Sequence, residues 1–413
     1  MEKQLNQKIE KYCELIVKSG LNVQKGQKVV ITSPVDCAEF ARIMAEKAYN
    51  AGAKQVIMRW GDEPIMRLTY LHADPAIFDV CDPWITMMMD QLSEEGSAFL
   101  SIAARDPEAY RGVNPDYMQR YNRATSLGLE AFYNRTMANE VPWCVVSVPT
   151  EAWATKVFPD AKDADEAIGL LWDAILKSSR VDDGDASENW SKHDATLKAR
   201  SSKLNAYDFE YITAKASNGT DLKIELPKGH IWAGGAEYCP VNEKFSPNIP
   251  TEEIFSAPHK LGVNGVVKSS KPLLHNGNLI DKFTVWFENG KAVKVHAEQN
   301  QKLLEDLITE DENSAYLGEI ALVPYHSPIS ESGILFYNTL YDENASCHLA
   351  FGRGYPMCIK DSAGKTNDEL VERGLNYSIT HVDFMFGTED MNIQGVTRSG
   401  EVVDVFVNGD FTF

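Results

Sequence analysis

Apolar positions in the first part of the chain form short runs that alternate with helical stripes. "KVVIT" (28–32) reads as a short buried strand. "CAEFARIMAEKAYNAG" (37–52) follows, with Phe40, Ile43, Met44 and Ala48 at helical spacing and Gly52 as a stop. "KQVIMRW" (54–60) is the next strand, and "AFLSIAA" (98–104) and "WCVVSVP" (143–149) repeat the theme. Ile168, Leu171, Trp172 and Ile175 mark a further amphipathic helix, and Leu5, Ile9, Cys13 and Ile16 mark one at the N-terminus. This alternation predicts an α/β layer with a largely parallel sheet.

The pattern changes after "SSRVDDGDASENWSKHD" (178–194), a polar, acidic stretch that reads as a connection or a solvated helix start. "FEYITAKASNGTDLKIEL" (209–226) is two alternating strands around an Asn-Gly turn, a hairpin signal. "FTVWFENGKAVKVHAE" (283–298) repeats it around Asn289-Gly290, and "VVDVFVNGDF" (402–411) reads as a last edge strand. With 413 residues the chain exceeds one ordinary core. The expected architecture is α/β. Residues 1–190 form an N-terminal α/β domain with a largely parallel sheet. Residues 191–413 form a C-terminal α+β domain, rich in antiparallel strands, that carries the candidate metal site.

Composition adds exclusions. A formal net charge of −20 argues against a nucleic-acid partner, because phosphate binding needs a basic surface, but is compatible with cationic ligands, metals included. The seven cysteines are scattered, with no CxxC, so neither a disulfide framework nor a thiolate zinc site is expected. No run of 18 uncharged apolar residues occurs, so no membrane span is expected. The charged N-terminus lacks an apolar signal block, which gives a cytoplasmic expectation.

Four stretches of the second half combine carboxylates and imidazoles with apolar surroundings. In "PTEEIFSAP" (250–258), Glu252 and Glu253 face opposite ways if the segment is extended, so one of them points into a site; both solvated in a surface turn is the plainer reading. In "AYLGEIALVP" (315–324), Glu319 is the only charge of an apolar strand pattern; it either faces solvent or is buried with a partner. "YDENASCHLAFGRGYP" (341–356) carries Asp342, Glu343, His348 and Tyr355 in a turn-prone segment, and its "GRG" lacks the strand–GxGxxG–helix context of a phosphate loop. "HVDFMFG" (381–387) reads as a strand with Val382, Phe384 and Phe386 on one face and His381 and Asp383 on the other. On their own, His381 and Asp383 read as a salt bridge or hydrogen-bonded pair before a ligand set. The other histidines read as surface or structural, with the glycines after His230 and Trp232 as candidates for a loop near the site.

Carboxylates and imidazoles without thiolate are the ligand set of hydrolytic divalent-metal sites. The carboxylate excess suits two ions about 3.5–4 Å apart, bridged by a carboxylate and a hydroxide. The four stretches also fit rival functions: another dinuclear metallohydrolase such as a dipeptidase or an amidase, or a non-catalytic binding protein stapled by metal.

The stretches "NIPTEEIFSAP", "LGEIALVP", "ENASCHLAFGRGYP" and "HVDFMFG", in this order and spacing, resemble the metallo-aminopeptidases of the aminopeptidase T, aminopeptidase S and PepS type. The resemblance covers essentially the whole chain. It implies two divalent metal ions per chain, zinc, cobalt or magnesium, bound by Glu253, Glu319, His348, His381 and Asp383, with Glu343 as a further ligand. Tyr355 matches a tyrosine placed at the metals and implicated in catalysis. It also implies removal of N-terminal residues from peptides with a free N-terminus, and a homodimer. The general base is open between Glu252 and Glu319, and no acceptor is identified for the second ring nitrogen of His348 or His381.

Overall fold

The computed structural model describes residues 2–182, 184–240, 243–275 and 277–413. In chain order, β1 (Lys28–Pro34), β2 (Gln55–Gly61), β3 (Ala98–Ile102) and β4 (Trp143–Val146) make an all-parallel sheet in the order β2-β1-β3-β4. Helices connect these strands, as parallel neighbours require. Val29, Val30 and Ile31 of the inner strand β1 are buried, which is why that strand reads as a continuous apolar run. The expected α/β layer is present.

β5 (Phe209–Lys215) and β6 (Asp221–Glu225) form the first hairpin, and β7 (Glu237–Cys239) pairs with β8 (Glu243–Phe245). Next come β9 (Ile254–Ser256), β10 (Val263–Lys268), β11 (Leu273–His275), β12 (Asn278–Glu288), β13 (Lys291–Gln299) and β14 (Leu317–Leu322). β15 (His348–Gly352), β16 (His381–Met385), β17 (Asn392–Thr397), β18 (Val402–Val407) and β19 (Asp410–Phe411) complete the set. Among the described residues, nine of these strands build one antiparallel sheet, β11-β12-β10-β6-β5-β17-β18-β19 with β13 on β12. Another four build an antiparallel sheet in the order β16-β15-β14-β9.

The Asn289-Gly290 turn behaves as its chemistry dictates. Asn289 (φ 50°) and Gly290 (φ 83°) are both left-handed, the geometry that matches strand twist in a two-residue hairpin. A Cβ on Gly290 would sit 1.8 Å from the Lys260 carbonyl oxygen. Residues 402–411, expected as one edge strand, are themselves a hairpin: β18 and β19 pair around Asn408 (φ 51°) and Gly409 (φ 79°). The same turn signal occurs there, but only two residues of strand follow it.

The acidic stretch 178–194 leads into a 22-residue helix, Ala186–Tyr207. Its buried stripe runs Trp190, Asp194, Leu197, Ser201 and Leu204, spaced four, three, four and three residues apart. Two of those five positions are polar, so the apolar pattern alone does not reveal the helix.

The chain divides into two compact units: Met1–Asp194 with Gly235–Thr251 and Ile334–Leu340, and Ala195–Gly234 with Glu252–Gly333 and Tyr341–Phe413. The main break falls inside this helix, and two later segments group with the first unit. The second unit holds a core to which both antiparallel sheets contribute, including Phe283, Val285 and Phe287 from β12 and Ile320, Leu349, Phe351 and Phe384 from the four-stranded sheet.

Candidate metal centre

Strand alternation divides the four-stranded sheet into two chemically different faces. Paired residues on neighbouring strands share a face. Ile254 pairs with Leu322, Ile320 with Leu349, and Leu349 with Phe384. All five are fully buried in the core. The residues between them face the other way. Glu319 pairs with Ala350, and Ala350 with Asp383. Phe255 pairs with Ala321, and Ala321 with His348. His381 pairs with Gly352. Glu253 precedes β9 by one residue, in phase with Phe255. One sheet face therefore gathers side chains that are up to about 130 positions apart in sequence, flanked by the small residues Ala321, Ala350 and Gly352. Gly352 (φ 95°) is required by its backbone: a Cβ there would lie 2.2 Å from the Thr380 carbonyl oxygen, just before His381.

The ligand atoms meet in two overlapping groups, Glu253–Glu319–His348 and Glu319–His381–Asp383. His348 Nε2 is 3.1 Å from Glu253 Oε2 and 3.7 Å from Glu319 Oε1. His381 Nε2 is 3.4 Å from Glu319 Oε2 and 3.4 Å from Asp383 Oδ1. Glu319 turns one oxygen to each imidazole. It is buried, on a strand that runs between β9 and β15, and the solvent-facing alternative does not apply.

Both rings are oriented by main-chain carbonyls. His348 Nδ1 lies 2.9 Å from the Glu343 oxygen and 3.1 Å from that of Ser346. His381 Nδ1 lies 2.7 Å from the Arg353 oxygen. An Nδ1 proton donated there leaves Nε2 as the ring's ligand atom. Carbonyls carry no residue signature, so the sequence does not disclose these acceptors.

The remaining expected residues take different places. Glu343 sits in a single helical turn, Glu343–Ala345, outside both groups but within the field of Asp383, Glu253 and Glu319. Its ring-facing atom toward His348 is the backbone oxygen. Tyr355 is half-buried, its ring 5.2 Å from that of His381. Glu252 is buried like Glu253, which rules out two solvated acids in a surface turn. It lies in the field of Arg200, and its N–H donates to Asn344 Oδ1 at 2.7 Å. The 341–356 segment is less turn-like than expected, since His348–Gly352 is a fully buried inner strand. The loop after His230 does run beside the site: Ala233 bridges Phe255, and a Cβ on Gly234 would lie 2.6 Å from the Glu253 carbonyl oxygen.

Electrostatics match a cation-binding cluster. Burial pushes the Glu253 carboxyl up, as do the charges of Glu319 and Asp383, with His348 opposing. Burial, then Asp383, pushes Glu343 well above the carboxylate range. Burial alone would lower the imidazoles, but Glu253 and Glu319 raise His348, and Asp383 and Glu319 raise His381, well above the histidine range. Burial would raise Asp383, but His381 outweighs it and holds it below its ordinary value. Without cations, four carboxylates crowded around two imidazoles are accommodated only by drawing protons onto the cluster, which the upward shifts of Glu253, Glu343, His348 and His381 reflect. Divalent cations remove that conflict, and mixed oxygen and nitrogen donors are the set such ions take.

The sheet face thus has the donor chemistry of a divalent-metal enzyme. Residues 5–411 match the thermophilic metalloprotease (M29) family, and the chain belongs to it. Aminopeptidase AmpS of Bacillus subtilis (strain 168) is 42% identical over 408 residues, 99% of each chain. Aminopeptidase 2 of Geobacillus stearothermophilus is 42% identical over 405 residues, 98% of each chain. The structure of wild-type AmpT from Thermus thermophilus superposes with a TM-score of 0.91 at 34% identity, covering 99% of this chain and 100% of that one.

Proposed function

We propose that the protein is a two-metal aminopeptidase that removes N-terminal residues from peptides. The observation that carries this reading is the position of Glu319 between two imidazole–carboxylate groups, one oxygen toward each. Glu253, Glu319 and His348 would hold one cation, and Glu319, His381 and Asp383 the other, with Glu343 as a further carboxylate ligand. Zinc, cobalt and magnesium all accept such donors. Bound there, divalent cations supply a water nucleophile at neutral pH and polarise the scissile carbonyl.

The protein's own residues do the rest. The backbone carbonyls behind His348 and His381 fix both rings. The Tyr355 ring lies against that of His381, and its hydroxyl would donate to the oxygen on which negative charge develops. A carboxylate of the cluster receives the peptide's free ammonium group, which limits attack to the first residue. Glu319, held between the two imidazoles, serves as a ligand, and Glu252 lies in the field of Arg200. A homodimer in the cytoplasm completes the reading. The exposed side chains Ile65, Leu68, Trp84 and Met87 support self-association, and no helix among the described residues is long and apolar enough to cross a membrane.

The test compares a peptide with its N-acetylated form. Stepwise trimming of the free peptide, abolished by chelation and restored by added divalent ions, is expected. Retained cleavage of the acetylated peptide refutes the aminopeptidase reading. Chelation that lowers thermal stability without any cleavage in either state indicates metal that only staples the fold.

A further inference from the structure

The alternation that puts Glu253 on the metal face puts Phe255 there too, two residues on. Its partner across the ladder is Ala321, so nothing large stands between Phe255 and His348 in that row. The Phe255 ring is half-buried, 5.5 Å from the Tyr355 ring, which in turn is 5.2 Å from the His381 ring. Phe255, Tyr355 and Met357 all rest on a small buried cluster of Ala257, Cys358, Ile359, Leu370 and Leu375. Phe255 and Tyr355 thus put an uncharged surface beside the carboxylates and imidazoles, and Met357 shares their support.

We propose that Phe255, with Tyr355 and Met357, forms the wall that receives the side chain of the substrate's N-terminal residue, and that the enzyme accordingly prefers apolar first residues of leucine type. This rests on the aminopeptidase reading and adds its substrate class. An apolar side chain laid on the wall leaves water, while the small Ala321 leaves it room. An acidic first residue would desolvate its carboxylate against an apolar surface, next to Glu253 and Glu319. Apolar size differences in such a pocket discriminate by about 10–200-fold.

The experiment uses the full-length, metal-loaded enzyme and the amides of leucine, alanine and glutamate. The wild type is expected to favour leucine amide over the other two. Phe255→Ala is expected to lower the leucine-to-alanine ratio of kcat/KM about tenfold, whereas Phe255→Leu, which keeps an apolar wall, shifts it less than about threefold. The inhibition constant of isopentylamine, which carries leucine's side chain on an amine without a carbonyl, is expected to rise in parallel in Phe255→Ala. A ratio and an inhibition constant that both stay at wild-type values in Phe255→Ala overturn the inference while leaving the aminopeptidase reading intact. A wild type that cleaves no free-amine substrate overturns that reading, and this inference with it.

Discussion

The ring of His381 stands edge-on to that of Tyr355, the centroids 5.2 Å apart and the planes at 72°. Burial and the surrounding carboxylates push the Tyr355 phenol well above its usual range, so at neutral pH it is a hydrogen-bond donor. Tyr355→Phe keeps the ring against His381 and Phe255 and removes only that donor. Its kcat is expected to fall about 10²–10³-fold, as for loss of one oxyanion donor. Metal content by elemental analysis is expected to stay at the wild-type level. A Phe variant with undiminished kcat shows that the tyrosine only packs.

Glu319→Gln puts a neutral amide between the two imidazoles. Both ring nitrogens lose an anionic neighbour, 3.7 Å and 3.4 Å away. Turnover is expected to vanish and metal content to fall. Glu252→Gln, on the Arg200 side, is expected to lower stability while metal content is kept. Equal metal loss in the two variants contradicts the placing of Glu319 in the ligand cluster and Glu252 outside it.

Much of this was legible because it rests on local pattern. Apolar runs marked β1 and β3, Asn289-Gly290 marked its hairpin, and the alternation of "HVDFMFG" put His381 and Asp383 on one face of β16. What pattern cannot convey is which strands are neighbours. Glu319 lies on an inner strand, flanked by β9 and β15, and local pattern does not say that β9, about 60 residues earlier, is its neighbour. The carbonyls behind the imidazoles are equally silent, since every residue has one. The Ala186–Tyr207 helix was obscured by Asp194 and Ser201 within its buried stripe.

Asp311 ties down the segment that enters β16. Its carboxylate accepts from the Ile379 N–H at 2.8 Å, the Ser378 hydroxyl at 2.7 Å, the Asn313 N–H at 2.7 Å and the Ser314 hydroxyl at 3.0 Å. Burial alone would raise its carboxyl, but these donors outweigh burial and hold it below the ordinary value. A depressed carboxylate contributes stability that is present above its unfolded value, about 3.9, and lost as pH falls through the folded one. Asp311→Ala is expected to cost about 3 kcal/mol near neutral pH, with the difference from wild type shrinking below about pH 4. Urea unfolding of both proteins across that range checks it. A pH-independent difference shows that the charge of Asp311 is not what holds the segment.

Phe384 occupies the opposite face of β16 from Asp383 and is fully buried. Its ring stacks on Phe351 at 4.8 Å and meets Phe283 edge-on at 5.6 Å. Phe283 belongs to the nine-stranded sheet, so this trio links the two sheets of the second unit. Phe384→Ala leaves a cavity where the strand's ligands are anchored, and about 3–5 kcal/mol of stability is expected to be lost. The effect should reach the chemistry as well. With its apolar side unsupported, β16 can shift by a fraction of an ångström, and both His381 and Asp383 move with it. The expected result is a lowered kcat at saturating metal, under conditions where denaturant curves show the variant folded. Phe384→Leu, which refills most of the space, should recover more than half of both losses. If stability falls in Phe384→Ala while kcat stays unchanged, the ligands are held by their own hydrogen bonds, such as that of His381 to the Arg353 carbonyl, and not by the core beneath them.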